Sequence, residues 1–111
     1  MAYLREEKQA VEIDLPLDDV WTIIQKALTS LKWNIEQIDS AKHHIEAKTE
    51  SHFMSYSSIL LIDAVPMDEN KTKVMVVAET PGTAITMMFD FGRAGRRRID
   101  LFLIELIEQL K

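Results

Sequence analysis

The feature that most constrains the fold is an apolar stripe near the end of the chain, between Gly92 and Lys111. At about 3.6 residues per helical turn, one helix face collects Ile99, Phe102, Leu103, Leu106, Ile107 and Leu110. Gly92 and Gly95 project onto the same face, so the first turn carries no bulk there. Burial of such a stripe stabilises a fold by roughly 10 kcal/mol before ordering entropy is subtracted. We therefore predict a C-terminal helix that closes the core.

The rest of the chain predicts several strands and one more helix. Strand-like patterns cover residues 11–15, 33–38, 44–49, 59–65, 73–80 and 83–89. Polar segments separate them, and Pro81-Gly82 predicts a turn. Residues 59–65 are apolar on both strand faces, which favours a central position in a sheet. Residues 17–31 follow Pro16 and are amphipathic with a helical period.

Together these elements predict an α+β fold in the order β-α-β-β-β-β-α. Short links between consecutive strands favour a curved antiparallel sheet of five to six strands. The two helices provide the only apolar stripes that could cover one face of that sheet, so we expect both on the same side. A chain of 111 residues predicts a single domain over 1–111.

Composition argues against several classes of function. The net charge of −5 disfavours broad contact with nucleic acid or an anionic membrane. The chain has no cysteine, which excludes disulfides, thiol catalysis and cysteine-based zinc sites. Residues 1–8 carry charges where a signal peptide needs an apolar run, and no run reaches membrane-spanning length. We expect a cytoplasmic protein without a membrane partner and without a cofactor.

The segment Val11–Trp21 (VEIDLPLDDVW) combines a strand, a proline and an acidic helix start. It resembles the opening of helix-grip domains, the TBP-like and Bet v1-like group, and the order of elements is similar over nearly the whole chain. The resemblance is to small bacterial members of unknown role. It implies the architecture and a ligand site between sheet and last helix. The chain departs from the Bet v1-like pattern by its shortness and by a single helix between the first two strands, which argues against a large internal cavity.

A cluster of arginines stands out in this acidic chain: Arg93, Arg96, Arg97 and Arg98. They surround the first turn of the last helix, where the helix dipole disfavours cations. Guanidinium groups beside unpaired backbone N–H groups would bind an anion such as a phosphate or a carboxylate. The alternative is that the arginines are solvated or pair with Asp90 and Asp100, with the stem of Arg96 packing at the edge of the buried stripe.

No catalytic or metal-binding motif is recognisable. Side chains of the adjacent His43 and His44 diverge on a strand, His52 lies in a polar interval, and a metal site needs three or four converging ligands. No nucleophile signature frames Ser51, Ser55, Ser57 or Ser58. Asp63 would be a candidate acid or base if it faced the core, although the open side of the sheet is favoured. We therefore predict no metal, no catalytic residue and no enzymatic activity.

Surplus apolar residues predict an interaction surface. On the strands, Ile59, Leu61, Val74, Val76 and Met87 are expected to face the core. The opposite face would then carry Leu60, Ile62, Met75, Val77 and Met88, and the flank of the last helix would add Leu101 and Ile104. A register slip of one residue would exchange the two faces.

Three functions remain open from the sequence. The first is a non-catalytic interaction module that forms a homodimer, or binds another protein, through the open sheet face or the last-helix flank. The second is a binding domain for a small apolar or acidic amphiphilic ligand between sheet and last helix. The third is a small hydrolase or isomerase that uses Asp63, a serine or a histidine.

Overall fold

The computed structural model describes residues 2–49, 58–83 and 94–110, with side chains for 8–49, 58–79 and 96–110. The elements are β1 (Ala2–Ile13), α1 (Leu17–Leu31), β2 (Asn34–Asp39), β3 (His44–Lys48), β4 (Ile59–Asp68), β5 (Lys71–Thr83) and α2 (Ala94–Gln109). The strands form one five-stranded sheet in the order β1-β5-β4-β3-β2, and every neighbouring pair is antiparallel. The predicted α+β fold and the central position of β4 are confirmed.

Both helices lie on the same face of the sheet, here called the covered face. One continuous cluster of buried side chains joins helices and strands. From the helices it includes Val20, Ile24, Leu28, Ile99, Phe102 and Leu106, and from the strands Ile45, Ala47, Leu60, Ile62, Val74 and Val76. The opposite face, here called the open face, has neither helix on it. The two-layer arrangement of helices on one face of a sheet, predicted from the two amphipathic stripes, is therefore confirmed.

The predicted faces of β4 are wrong by one residue. Leu60 and Ile62 are fully buried on the covered face, whereas Ile59 and Leu61 are half-buried on the open face. Because β4 is apolar on both faces, its own sequence has no alternation that indicates which residues face the core. Pairing with the neighbouring strands decides this. Ile62 pairs with Ile45 of β3 and with Val76 of β5, both of which are buried. Leu60 and Ile62 are thus core residues and not candidates for an interface.

The remaining interface candidates are distributed differently. Met75 and Val77 are half-buried on the open face, as expected. Leu101 and Ile104 are exposed on α2. Met88 lies outside the described residues, as do Met87 and the rest of the predicted strand from residue 84 to residue 89. An interface role for the exposed residues stays a prediction.

The predicted turn at Pro81-Gly82 is wrong, because β5 continues through both residues to Thr83. Pro81 pairs with Leu4 of β1, while the described pairing of β5 with β4 begins at Glu79. In the described part of the sheet, Pro81 therefore has a partner strand on one side only. A proline without an N–H donor is tolerated in such an edge-like position.

Helix α1 spans the predicted residues, and local chemistry accounts for both ends. Pro16 precedes it with an extended backbone, and the Pro16 carbonyl accepts a hydrogen bond from the Val20 N–H at 3.1 Å. Asp18 and Asp19 occupy the first turn, where the helix dipole favours negative charge. At the other end Lys32 adopts a left-handed backbone, and its N–H bonds to the carbonyls of Leu28 and Thr29.

Helix α2 contacts α1, β5 and β1. Its first part buries Ile99, Phe102 and Leu106. Ile107 and Leu110, predicted to share the buried stripe, are instead 55% and 39% exposed. Ile107 points about 100° away from the buried Leu106, and Leu110 follows the last residue of α2. No helix in the described ranges is long and apolar enough to cross a membrane.

Candidate functional site

The described arginines of α2 do not converge on one site. Successive helical residues differ by about 100° around the axis, so Arg96, Arg97 and Arg98 point in three directions. Arg96 is exposed and its Nε lies 3.6 Å from Asp100 Oδ1, which is the surface pairing considered as an alternative. Arg97 is also exposed, and Arg93 lies outside the described residues. A shared anion site of all four residues remains a prediction.

Arg98 differs from its neighbours because it is only 1% exposed. It is the largest fully buried side chain of the described residues and lies beside Ile99 in the buried cluster. The guanidinium group stays protonated in proteins, so its burial is costly unless other groups compensate the charge. Arg98 does interact with the rest of the chain. The helical pattern predicted Arg96 at the edge of the buried stripe, but Arg98 is the arginine that is buried.

A second polar group lies on the covered face of the sheet. Gln9 belongs to β1 and pairs with the buried Val76 of β5. Its Oε1 atom is buried without a hydrogen-bond partner in the described structure. An unsatisfied buried polar atom costs about 1–3 kcal/mol and therefore calls for a structural or functional explanation. Gln9 was not among the predicted site residues, although its spacing from Val11 and Ile13 places it on their face.

Two buried hydroxyl residues close the same face at the ends of β3 and β4. The Thr49 N–H donates to the Ser58 carbonyl at 2.9 Å, and the Ser58 N–H donates to Thr49 Oγ1 at 2.9 Å. Both residues are buried, at 3% and 0% exposure. Ser58 therefore has a structural role here, while Ser51, Ser55 and Ser57 lie outside the described residues.

A polar contact links α2 to α1. Ser30, at the end of α1, hydrogen-bonds the carboxylate of Glu105, and Gln109 Nε2 donates to Glu105 Oε1 at 3.0 Å. These hydrogen bonds lower the pKa of Glu105. Arg98 lies on the same side of α2 as Glu105, about 10 Å closer to the helix N-terminus.

The open face carries a separate titratable cluster. His44 Nδ1 lies 2.7 Å from Asp63 Oδ1, and His44 Nε2 lies 3.3 Å from Glu46 Oε2. Partial burial lowers the pKa of His44, but the hydrogen bonds and charges of Asp63 and Glu46 outweigh that effect and raise it overall. The side chain of Asp63 is 40% exposed, which confirms that it faces the open side. Asp63 lies next to Nδ1 and Glu46 lies next to Nε2, so the imidazole has a carboxylate on each side.

The two described histidines diverge, as expected for adjacent strand residues. His43 has a positive φ of 53° and its ring contacts Trp21 of α1 edge-on at 5.0 Å. His44 projects to the open face. No group of three or more metal-ligating side chains converges among the residues that the structure describes, and His52 lies outside them.

Two solvent-open grooves involve described residues elsewhere on the surface. One, of about 460 Å³, follows the polar side of α1 between Thr22 and Ser30. The other, of about 560 Å³, lies at an acidic corner formed by Asp14 and the hairpin between β4 and β5. The described lining of both grooves contains neither Arg98 nor Gln9.

Comparison with solved structures identifies the fold. Norcoclaurine synthase from Thalictrum flavum, a point mutant with a transition-state analogue, has a TM-score of 0.73 at 11% identity, over 96% of this chain and 93% of that chain. The ZhuI aromatase/cyclase from Streptomyces sp. R1128 has a TM-score of 0.67 at 12% identity, over 98% and 97%. The di-domain aromatase/cyclase BexL has a TM-score of 0.66 at 13% identity, over 96% of this chain and 46% of that chain.

These similarities confirm the Bet v1-like, helix-grip fold. At such low identity they establish the fold alone. No family model matches the sequence, and no curated protein matches it.

The comparisons also correct the prediction that the chain is not an enzyme. Norcoclaurine synthase and the aromatase/cyclases are enzymes and share this architecture with the chain. The prediction relied on missing sequence motifs. Because the same fold supports catalysis in chains of such low identity, missing motifs do not indicate that a chain with this fold lacks enzymatic activity.

Proposed function

We propose that the chain binds a small apolar ligand with an acidic group between α2 and the covered face of the sheet. The supporting observation is the burial of Arg98 on the sheet-facing side of α2. Structures with this fold include a norcoclaurine synthase in complex with dopamine and hydroxybenzaldehyde, which are small aromatic molecules.

The chemistry of the covered face suits an amphiphile. Ile99 and Phe102 provide apolar contacts next to Arg98, and burial of a ligand chain against them stabilises binding by about 25 cal/mol per Å². Arg98 has five N–H donors, so an intramolecular partner leaves capacity for a ligand carboxylate. The unpartnered Oε1 of Gln9 would accept a hydrogen bond from a ligand hydroxyl.

The direct test is a titration with 8-anilinonaphthalene-1-sulfonate, an apolar anion whose fluorescence rises in an apolar environment. Arg98→Met should weaken its binding about tenfold or more, because hydrogen bonds to charged groups contribute about 1.5–3 kcal/mol. Arg97→Met is the matched control, since it removes the same charge one residue away on an exposed side. It should change the dissociation constant less than about twofold.

Two further measurements separate this site from the exposed flank of α2. Ile104→Ser should leave dye binding unchanged, because Ile104 is 58% exposed and faces away from the core. Decanoate should displace the dye at lower concentration than decanol, which has no charged group. Equal effects of Arg98→Met and Arg97→Met, or loss of binding with Ile104→Ser, would contradict the proposal.

We also propose self-association as a second property. Large apolar side chains are exposed along α2, namely Leu101, Ile104, Ile107 and Leu110, and further apolar side chains occupy the open face. Exposed patches of this kind are typical of interfaces. Analytical ultracentrifugation over a wide concentration range tests it, and a monomer at every concentration would contradict it.

A further inference from the structure

The open face has an ordered arrangement of charge and apolar surface. One row across four strands consists of Lys8 on β1, Val77 on β5, Leu61 on β4 and Glu46 on β3, each paired with the next in register. The row therefore has a cation at one end, two apolar side chains in the middle and an anion at the other end. In the adjacent rows the two central positions are Met75 paired with Asp63 and Ile59 paired with Glu79, so each has one apolar and one acidic side chain.

Such a row is complementary to its own copy under one rotation only. A two-fold axis parallel to the strands, between β4 and β5, places β1 of one copy over β3 of the other. Lys8 of each copy then faces Glu46 of the other, and Leu61 meets Val77. An axis perpendicular to the strands would place every strand over itself, so Lys8 would face Lys8 and Glu46 would face Glu46, which is repulsive.

The exposed flank of α2 lacks this property. An antiparallel pairing of two α2 helices centred on Ile104 places Asp100 of one copy opposite Glu108 of the other, and both are acidic and exposed. A parallel pairing places each charge opposite itself. Charge therefore disfavours α2 as a surface for a second copy, whereas the open face favours one.

We propose that the open face pairs with the open face of a second copy about a two-fold axis along the strands, with Lys8 opposite Glu46 on both sides. This inference specifies the self-association proposed above and is independent of the ligand site. Two sheets that pack face to face with nearly aligned strands are a common arrangement in proteins. An interface of this kind is isologous, so each contact occurs twice.

The size of the patch predicts a weak dimer. Four rows and the four overlapping strands β1, β5, β4 and β3 span about 20 Å along and 14 Å across the strands, given about 6.8 Å between rows and 4.8 Å between strands. The flat area of overlap is roughly 300 Å² per copy, compared with about 800 Å² per partner in a stable complex. The dimer should therefore form at protein concentrations between roughly 10 µM and 1 mM.

The test uses charge reversal in three preparations. Lys8→Glu places two carboxylates opposite each other, and Glu46→Lys places two ammonium groups opposite each other, so each variant alone should sediment as a monomer. An equimolar mixture should restore the dimer as a heterodimer, because every reversed charge then faces an opposite one. Rescue in the mixture also demonstrates that both variants are folded.

Lys26→Glu is the matched control, since it reverses an exposed lysine on α1, away from the open face. It should leave the sedimentation behaviour unchanged. A wild-type monomer at 1 mM would overturn self-association altogether. A wild-type dimer that survives both single reversals, or a mixture that stays monomeric, would overturn the open-face pairing while another interface remained possible.

Discussion

The two faces of the one sheet are made from similar residues but have opposite roles. Along β4, Ile62 points to the covered face and is fully buried, while its neighbour Leu61 points to the open face and is half-buried. The helices cover the first and leave the second to solvent or to a partner. The comparison shows that burial, and not hydrophobicity, separates a core residue from an interface candidate.

Polar groups also differ between the faces. On the covered face Arg98, Gln9 and Thr72 are buried or have buried polar atoms, so each must be compensated or carries a cost. On the open face His44, Glu46 and Asp63 form a partly hydrated cluster, in which charges pair with little loss of hydration free energy. Perturbations of the covered face should therefore affect folding and ligand binding, while those of the open face should affect association and pH response.

The largest difference is expected from truncating adjacent residues of β4. Ile62→Ala should lower the free energy of unfolding by about 2–5 kcal/mol, because it leaves a cavity in the core. Leu61→Ala should cost less than about half of that, since its side chain is already partly hydrated. Urea unfolding at low protein concentration, where association is negligible, provides both values. Equal losses would show that the open face is covered in the folded chain.

A buried hydroxyl should give an intermediate effect. Thr72 Oγ1 donates to the Leu15 carbonyl at 2.9 Å and links β5 to the chain between β1 and α1. Thr72→Val removes this hydrogen bond and should destabilise the chain by about 1–2 kcal/mol, since the Leu15 carbonyl loses its partner. Lys73→Ala, the adjacent open-face residue, should change stability by less than about 0.5 kcal/mol. Thermal or urea unfolding of the pair measures the contrast, and a larger loss for Lys73→Ala would contradict it.

The smallest effect concerns the pH response of His44. Its pKa is raised above the ordinary value of 6.5, so its stabilisation is fully present below pH 6.5 and is lost as pH rises through the folded-state pKa. The charged groups facing it are Asp63 of β4, Glu46 of β3 and its cross-strand neighbour Asp39 of β2. Because the cluster is partly exposed, the contribution should be below about 1 kcal/mol.

Comparison with His44→Gln at pH 5.5 and pH 8.5 isolates this contribution. The stability difference between wild type and variant should be larger at pH 5.5. Asp63→Asn should reduce the pH dependence, because it removes the carboxylate closest to the imidazole. A difference that grew with rising pH would contradict a raised pKa.

Much of the architecture follows from the sequence alone, for local reasons. Helix α1 begins after Pro16 and ends at Leu31 as its amphipathic period predicts. Alternation of apolar and polar residues predicts β3. The turn before it follows Asp39, the last residue of β2, whose carboxylate accepts hydrogen bonds from the N–H groups of Ala41 and Lys42. Periodicity and turn chemistry act within a few residues, so they are readable without the fold.

Tertiary structure decided what local patterns leave open. The face of β4, the passage of β5 through Pro81 and the exposure of Ile107 all depend on which elements lie next to them. The choice of Arg98 over Arg96 as the buried arginine depends on how α2 is rotated against the sheet, because local sequence does not distinguish the four arginines clustered around the start of α2. Local sequence determines the period of an element, whereas its register and rotation are set by long-range packing, because only there does one face gain more buried area than the other.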